Sequence, residues 1–175
     1  HEQGLTRYDP DTKESILIDR SDGLIDRSAE SVFEIGPDKI AVGQESGIVL
    51  LDKRSIYKNP VPPKTVISGM SLFNEPVDYS KPGMPIDRVM PYIKSVELNY
   101  SENVLAFDFM PLHFDAPVEN SVQFKLEGFD GEWIPARGKR SMTYTNLDPG
   151  KYVFMARSAN KDGVLQSDFA SVSLV

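Results

Sequence analysis

Apolar and polar residues alternate along much of the second half of the chain. In Val122–Glu127 every second residue is apolar, and Val104–Met110 places Leu105, Phe107 and Phe109 on one face in the same way. Because successive side chains of a strand point to opposite faces, this period of two predicts β-strands. The pattern predicts further strands at Val66–Phe73, Ser95–Tyr100, Met142–Thr145, Tyr152–Ser158 and Ala170–Val175. No stretch has a helical period over a useful length.

Seven short strands with turn residues between them are typical of an immunoglobulin-like or fibronectin-like β-sandwich. The run Leu147–Tyr152 supports this class, since it resembles the corner at which a Tyr hydroxyl bonds to backbone a few residues upstream. We therefore interpret Leu147, Pro149, Gly150 and Tyr152 as a structural corner motif. Tyr144 is expected to be a half-buried strand residue near it.

The first third of the chain contains a short internal repeat. Glu2–Asp9 aligns with Glu45–Asp52, 43 positions further on, and three strand-like runs lie between the copies. These runs are Ser15–Ile18, Ser31–Ile35 and Lys39–Val42. A period of about 40–50 residues suits one four-stranded propeller blade. The sequence thus predicts an all-β chain, a partial propeller blade followed by a sandwich.

Asn59–Pro63 marks the predicted domain boundary. Three of its last four residues are Pro, which removes backbone donors and favours a stiff, extended segment. We assign residues 1–58 to the blade fragment, 59–63 to the linker and 64–175 to the sandwich.

Composition narrows the functional classes. The chain of 175 residues carries a net charge of −7, whereas nucleic-acid binding relies on basic patches. Its one basic cluster, Arg137, Lys139 and Arg140, is interpreted as a solvated loop. The absence of Cys excludes thiolate zinc sites, thiol catalysis and disulfides. No apolar run reaches the roughly 20 residues of a membrane span.

Catalytic candidates are weak. His113 lies two residues before Asp115, but no Ser occupies a strained, Gly-flanked turn that would supply a nucleophile. Glu127, Asp130 and Glu132 cluster around two glycines, as the solvated rim of a turn does. We expect no catalytic residue.

Metal and cofactor sites are also not expected. Asp9, Asp11 and Glu14 bring three carboxylates together, but Glu14 stands where a calcium loop of the EF-hand type needs Gly. This segment is interpreted as a β-turn. No glycine-rich phosphate loop is present.

Trp133 is the single Trp of the chain and follows a turn. The lone Trp of a β-sandwich commonly fills its core, which is the expectation here. The alternative is an exposed ring that stacks on a sugar, which would favour a carbohydrate-binding accessory sandwich of a secreted enzyme.

Two sets of motifs resemble a known family of receptors. Gly4–Asp9, Asp22–Leu24 and Ile40–Gly43 resemble the propeller repeats of bacterial two-component sensors. The motifs that resemble the three-tyrosine (Y_Y_Y) module following such propellers are Phe124–Asp130 with Trp133, Tyr144–Phe154 and Ala159–Gly163. Phe124 stands where that module usually has its first Tyr, and Ala41–Gln44 lacks the usual Trp.

This resemblance implies a periplasmic sensing and relay fragment of a membrane-anchored inner-membrane sensor, itself without catalytic activity. The output domain of such proteins is a histidine kinase, alone or in a hybrid system, or a diguanylate cyclase. The resemblance further implies a homodimer through the sandwich and an oligosaccharide ligand on propeller parts that this chain lacks. Membrane attachment would come only from a transmembrane segment outside this sequence.

Overall fold

The computed structural model describes residues 4–175, which form two compact units. The first unit extends to Pro60 and the second is Val61–Val175. His1 and the first residues of the repeat, Glu2 and Gln3, lie outside the described residues.

Over residues 4–175, no helix is both long and apolar enough to cross a membrane.

The described part of the first unit, residues 4–60, contains five strands in two antiparallel sheets. The strands are β1 (Leu5–Tyr8), β2 (Ser15–Ile18), β3 (Ser31–Glu34), β4 (Lys39–Gln44) and β5 (Gly47–Asp52). A hairpin joins β1 to β2, and β3, β4 and β5 pair in chain order. Such a meander is how consecutive strands of a propeller blade are arranged. The three predicted inner strands are present. However, the strands of the two repeat copies, β1 and β5, lie in different sheets, so the unit has one sheet of two strands and one of three.

A small core holds this first unit together. Ile18, Leu24, Val42, Leu51 and Ile56 are buried in one cluster. Only one face of the three-stranded sheet is covered in this way, since Leu51 is buried whereas its neighbour Leu50 is 62% exposed.

The second unit is a two-sheet sandwich of nine strands. They are β6 (Lys64–Leu72), β7 (Glu75–Pro76), β8 (Ser95–Val96), β9 (Leu105–Leu112), β10 (Ser121–Glu127), β11 (Ile134–Pro135), β12 (Ser141–Tyr144), β13 (Tyr152–Ala159) and β14 (Ala170–Leu174). One sheet has the order β11-β10-β13-β14-β8 and the other β12-β9-β6-β7. The pair β14–β8 is parallel, and the other pairs are antiparallel.

Aromatic rings from both sheets form the centre of the sandwich. Phe107 of β9 and Phe154 of β13 stack with their ring centroids 4.3 Å apart. Phe109 of β9 lies 5.5 Å from Phe124 of β10. Burying such rings is among the largest favourable contributions that single side chains make to folding. The all-β sandwich predicted from alternation is therefore the fold.

The predicted strand Ser95–Tyr100 is wrong in length. The strand ends at Val96, one further backbone bond joins the Leu98 N–H to the Val175 carbonyl, and Tyr100 is 89% exposed. The Asn99 backbone N–H donates to the Glu102 carboxylate and the Glu102 N–H donates to the Asn99 carbonyl, so the chain turns there. Asn is common in turns because its short side chain can bond to nearby backbone groups and because it accepts turn backbone angles.

The end of the Pro-rich segment belongs to the sandwich. Pro63 is fully buried, and the Asn160 side-chain amide donates to the Val61 carbonyl at 3.0 Å. These contacts hold the entry of the second unit against the end of β13.

Candidate functional site

The corner of the sandwich lies between β12 and β13. The Tyr152 hydroxyl donates to the Asp148 carbonyl at 2.8 Å, which is the upstream backbone contact predicted from the sequence. Leu147 is buried in the core, while Pro149 and Gly150 form the exposed bend. The residues of the predicted motif thus meet in one turn, and their contacts are structural.

A cavity of about 190 Å³ lies beside this corner. The turn Leu147–Gly150 lines one side, and Leu98, Tyr100 and the end of β14 at Leu174 line the other. The cavity therefore joins the corner to the last strand of the sandwich.

Tyr144 is tied to the turn after β10. Its hydroxyl donates to Asp130 Oδ2 at 2.7 Å, and the same oxygen accepts the Leu126 backbone N–H at 2.7 Å. Tyr144 is 3% exposed, so it is fully buried and not half-buried as predicted. Burial raises the pKa of Tyr144, and its hydrogen bond to the Asp130 carboxylate raises it further.

Gly128 allows this turn to approach the corner closely. Its φ is +93°, a region that favours glycine. A Cβ at this position would lie 3.0 Å from both the Lys151 carbonyl oxygen and Tyr152 Cδ1. Hence the turn after β10 and the tyrosine corner form one packed assembly, which we call the corner assembly: residues 126–130, Tyr144 and 147–152.

Phe124, which replaces the usual first Tyr of the three-tyrosine module, is part of the aromatic core. It is 2% exposed and packs near Phe109 and Phe154. A ring without a hydroxyl suits this position, because a buried O–H needs a partner.

Trp133 does not fill the core, contrary to expectation. It is half-buried, and its ring lies against Arg157, whose guanidinium carbon is 4.2 Å from the ring centroid. Arg157 also donates to Gln123, on the outward side of β10. Trp133 therefore packs on the outer face of the sheet, where Arg157 covers one face of its ring and Phe169 lies 6.0 Å away.

The residues weighed for catalysis occupy separate structural positions. His113 Nδ1 lies 2.9 Å from the Asp115 carbonyl within its own loop. Asp130 is engaged in the corner assembly, whereas Glu127 and Glu132 are exposed. The structure thus gives Asp130 a turn-capping role.

The acidic segment of the first unit forms a turn. Asp9 Oδ1 accepts the backbone N–H groups of Asp11 and Thr12, and these bonds lower the pKa of Asp9. Among residues 4–175, no group of three or more His, Cys, Asp or Glu side chains is arranged to hold a metal ion.

A larger groove of about 570 Å³ opens on the sandwich. It lies along β6 and the start of β14, beside the one-turn 3-10 helix Met90–Tyr92. Its buried polar residues, Thr65 and Gln166, are 101 positions apart. No local sequence pattern signals such a site, since it forms only when two distant segments fold together.

Comparison with known proteins finds a family model that matches part of the sandwich. Residues 113–175, which include β10–β14, match the Y_Y_Y domain. The corner assembly and Trp133 lie within the matched residues of the Y_Y_Y domain, whereas β6–β9 of the sandwich precede them.

Matches to nearly the whole chain are found in sequence and in structure. Histidine kinase P4 of Formosa agariphila is 23% identical over 164 residues, which cover 93% of this chain and 12% of the kinase. The extracellular domain of BT3049 from B. thetaiotaomicron, described as a hybrid two component system, matches 99% of this chain at a TM-score of 0.79 and 19% identity. The extracellular domain of BT4673 from B. thetaiotaomicron, also described as a hybrid two component system, matches 99% of this chain at a TM-score of 0.59 and 19% identity.

The chain spans only a small part of these relatives. It covers 23% of the BT3049 structure and 22% of the BT4673 structure. The similarity in structure establishes a shared fold. In sequence, the chain is similar to the Y_Y_Y domain over residues 113–175 and to a histidine kinase over most of its length.

Proposed function

We propose that this chain relays a ligand signal within the periplasmic part of a membrane-anchored two-component sensor. The observation that carries the proposal is the match of 99% of the chain to the extracellular domain of a hybrid two component system. On this proposal the ligand is an oligosaccharide that binds elsewhere on the receptor, and catalysis belongs to an output domain such as a histidine kinase.

The construction of the sandwich supports a relay. The C-terminal strand β14 is paired on both sides, with β13 and β8, so it moves with the sheet as a body. At the other end, Pro60 and Pro62 precede the buried Pro63. A Pro-rich segment transmits displacement that a flexible segment absorbs. Signalling then needs a ligand that binds one receptor state better than the other.

The test uses the intact receptor with Pro60→Gly and Pro62→Gly combined, leaving the buried Pro63 in place. We expect a smaller ligand-induced change in the kinase output, measured as autophosphorylation. The matched control is Pro82→Gly with Pro85→Gly, in a loop of the sandwich outside the linker. Unchanged output in the linker variant, with an unchanged melting temperature, contradicts the relay.

The family resemblance also supports a homodimer through the sandwich. Sedimentation equilibrium of this chain tests that proposal, and a monomer at all concentrations contradicts it.

A further inference from the structure

The groove on the sandwich has the size of a ligand site. Its volume of about 570 Å³ falls within the range of roughly 300–1,000 Å³ found for small-molecule sites. Buried Ile67 and Ile93 line its apolar side. All residues that line the groove belong to the second unit.

Its polar side is held by a buried hydrogen-bond chain. Gln166 Oε1 accepts from the Thr65 backbone N–H at 3.0 Å and lies 2.7 Å from Thr65 Oγ1. Thr65 Oγ1 lies 2.6 Å from Ser158 Oγ. With its oxygen fixed in this way, the Gln166 amide has one orientation, and the groove is preorganised before a ligand arrives.

The Gln166 amide retains a free donor. Its nitrogen donates to Asp168 Oδ1 at 3.1 Å, and an amide nitrogen carries two hydrogens. Among the described residues no second acceptor lies within hydrogen-bond range of this nitrogen. A ligand oxygen in the groove would satisfy it.

Two exposed aromatic residues line the same groove. Tyr92 is 72% exposed and Phe169 is 48% exposed. The Phe169 ring also lies 6.0 Å from that of Trp133, which does not line the groove. Exposed ring faces beside hydrogen-bonding groups suit a ligand that has apolar C–H faces and polar edges, as a sugar ring has.

The charge of the groove differs from that of the chain. Lys64 and Lys94 line it together with a single acidic residue, Asp168, which accepts from Gln166. The chain as a whole carries a net charge of −7. A local excess of positive charge on an acidic protein favours an anionic ligand.

From these features we propose that the groove binds an acidic saccharide, a sugar bearing carboxylate or sulfate groups. Its rings pack on Phe169 and Tyr92, its anionic groups lie near Lys64 and Lys94, and the free Gln166 N–H donates to one of its oxygens. This inference goes beyond the relay function, because it gives the sandwich a ligand site of its own.

The test is isothermal titration calorimetry on the 175-residue chain. The probes are trigalacturonate, the disaccharide unit of chondroitin sulfate, the neutral maltotriose, and triglutamate as an acidic peptide. We expect saturable binding of at least one acidic saccharide, tighter than that of maltotriose and triglutamate, and weaker at higher salt because charge pairs are screened.

Two variants locate the site. Phe169→Ala and Tyr92→Ala should each weaken acidic-saccharide binding by about three- to tenfold, which is the loss of affinity expected when one aromatic contact is removed. The exposed Phe114, outside the groove, provides the matched control Phe114→Ala, which should bind as the parent chain does. Having two aromatic variants keeps the test decisive if one of them fails to fold.

Charge variants complete the design. Lys94→Gln should weaken acidic-saccharide binding, whereas Lys139→Gln, in a loop that does not line the groove, should not. No saturable binding of either acidic saccharide overturns the proposal. Equal binding of maltotriose or triglutamate overturns the ligand class, and unaltered binding by the aromatic variants overturns the location. These results are independent of receptor output, so they do not bear on the relay.

Discussion

Tyr144 and Asp130, from β12 and from the turn after β10, are joined by a 2.7 Å hydrogen bond between the phenol hydroxyl and Oδ2 of the carboxylate. β12 belongs to one sheet of the sandwich and β10 to the other. The bond therefore connects the two sheets at their edge, where no backbone ladder does so.

Tyr144→Phe tests the strength of this connection. The free energy of unfolding should fall by about 1.5 kcal/mol, the lower end for bonds to charged groups, because the half-buried Asp130 can regain some water. Urea denaturation measures the change. The control is Tyr100→Phe, at a residue that is 89% exposed. If this variant were destabilised as much as Tyr144→Phe, the role assigned to the Tyr144–Asp130 bond would be contradicted.

Gly128→Ala probes the close approach within the corner assembly. A side chain at φ +93° is strained, and its Cβ would lie 3.0 Å from Tyr152 Cδ1. The loss of stability should exceed about 1 kcal/mol, the usual cost of a left-handed residue. Gly131, which follows this turn, has no atom within 4 Å of a built Cβ, so Gly131→Ala should change the melting temperature little. Similar melting temperatures for the two variants would argue against the packing described.

Removing the Thr65 hydroxyl should interrupt the buried series of hydrogen bonds beneath the groove. Thr65→Val deletes the partner of Ser158 Oγ while keeping the volume, and should cost about 1–3 kcal/mol for the unsatisfied group. The comparison is Thr143→Val on an exposed position of β12. A neutral effect at Thr65, read by thermal unfolding, would mean that Ser158 finds another partner.

Asp52 in the first unit has a pKa of about 2, against an ordinary value of 3.8. The main cause is the hydrogen bond from the Arg54 guanidinium, followed by that from the Arg54 backbone N–H. A lowered pKa in the folded state means that the stabilisation is present above pH 3.8 and is lost as the pH falls through about 2.

Arg54→Ala should raise the Asp52 pKa but leave it below 3.8, because the backbone bond persists. Carbon-detected NMR titration of the carboxyl group measures this. Arg20→Ala, elsewhere in the same unit, serves as the control. A pKa that stays at about 2 in the Arg54 variant would refute the guanidinium as the main cause.

The sequence predicted those features that depend on neighbouring residues. Alternation in β9 placed Leu105, Phe107 and Phe109 correctly in the core, since the period of a strand is a local property. The corner was also predictable, because Tyr152 reaches back only four residues to Asp148.

Features that depend on distant partners were not predicted. Thr65 and Gln166 meet from 101 positions apart, so neither has a local signal. Trp133 was expected in the core, but β10 presents Gln123 outward and Arg157 pairs with it there, which gives the indole a place on the surface. Likewise, alternation continues past Val96, yet the turn at Asn99 ends the strand.

The pairing of β14 with neighbours on both sides has a mechanical consequence. A pull directed along β14 acts at right angles to its hydrogen bonds with the antiparallel strand β13, so these bonds bear the load together in shear. Strands loaded in this direction resist far larger forces than strands peeled apart one bond at a time. The last strand of the sandwich is thus suited to bear tension along its length without its hydrogen bonds breaking one after another.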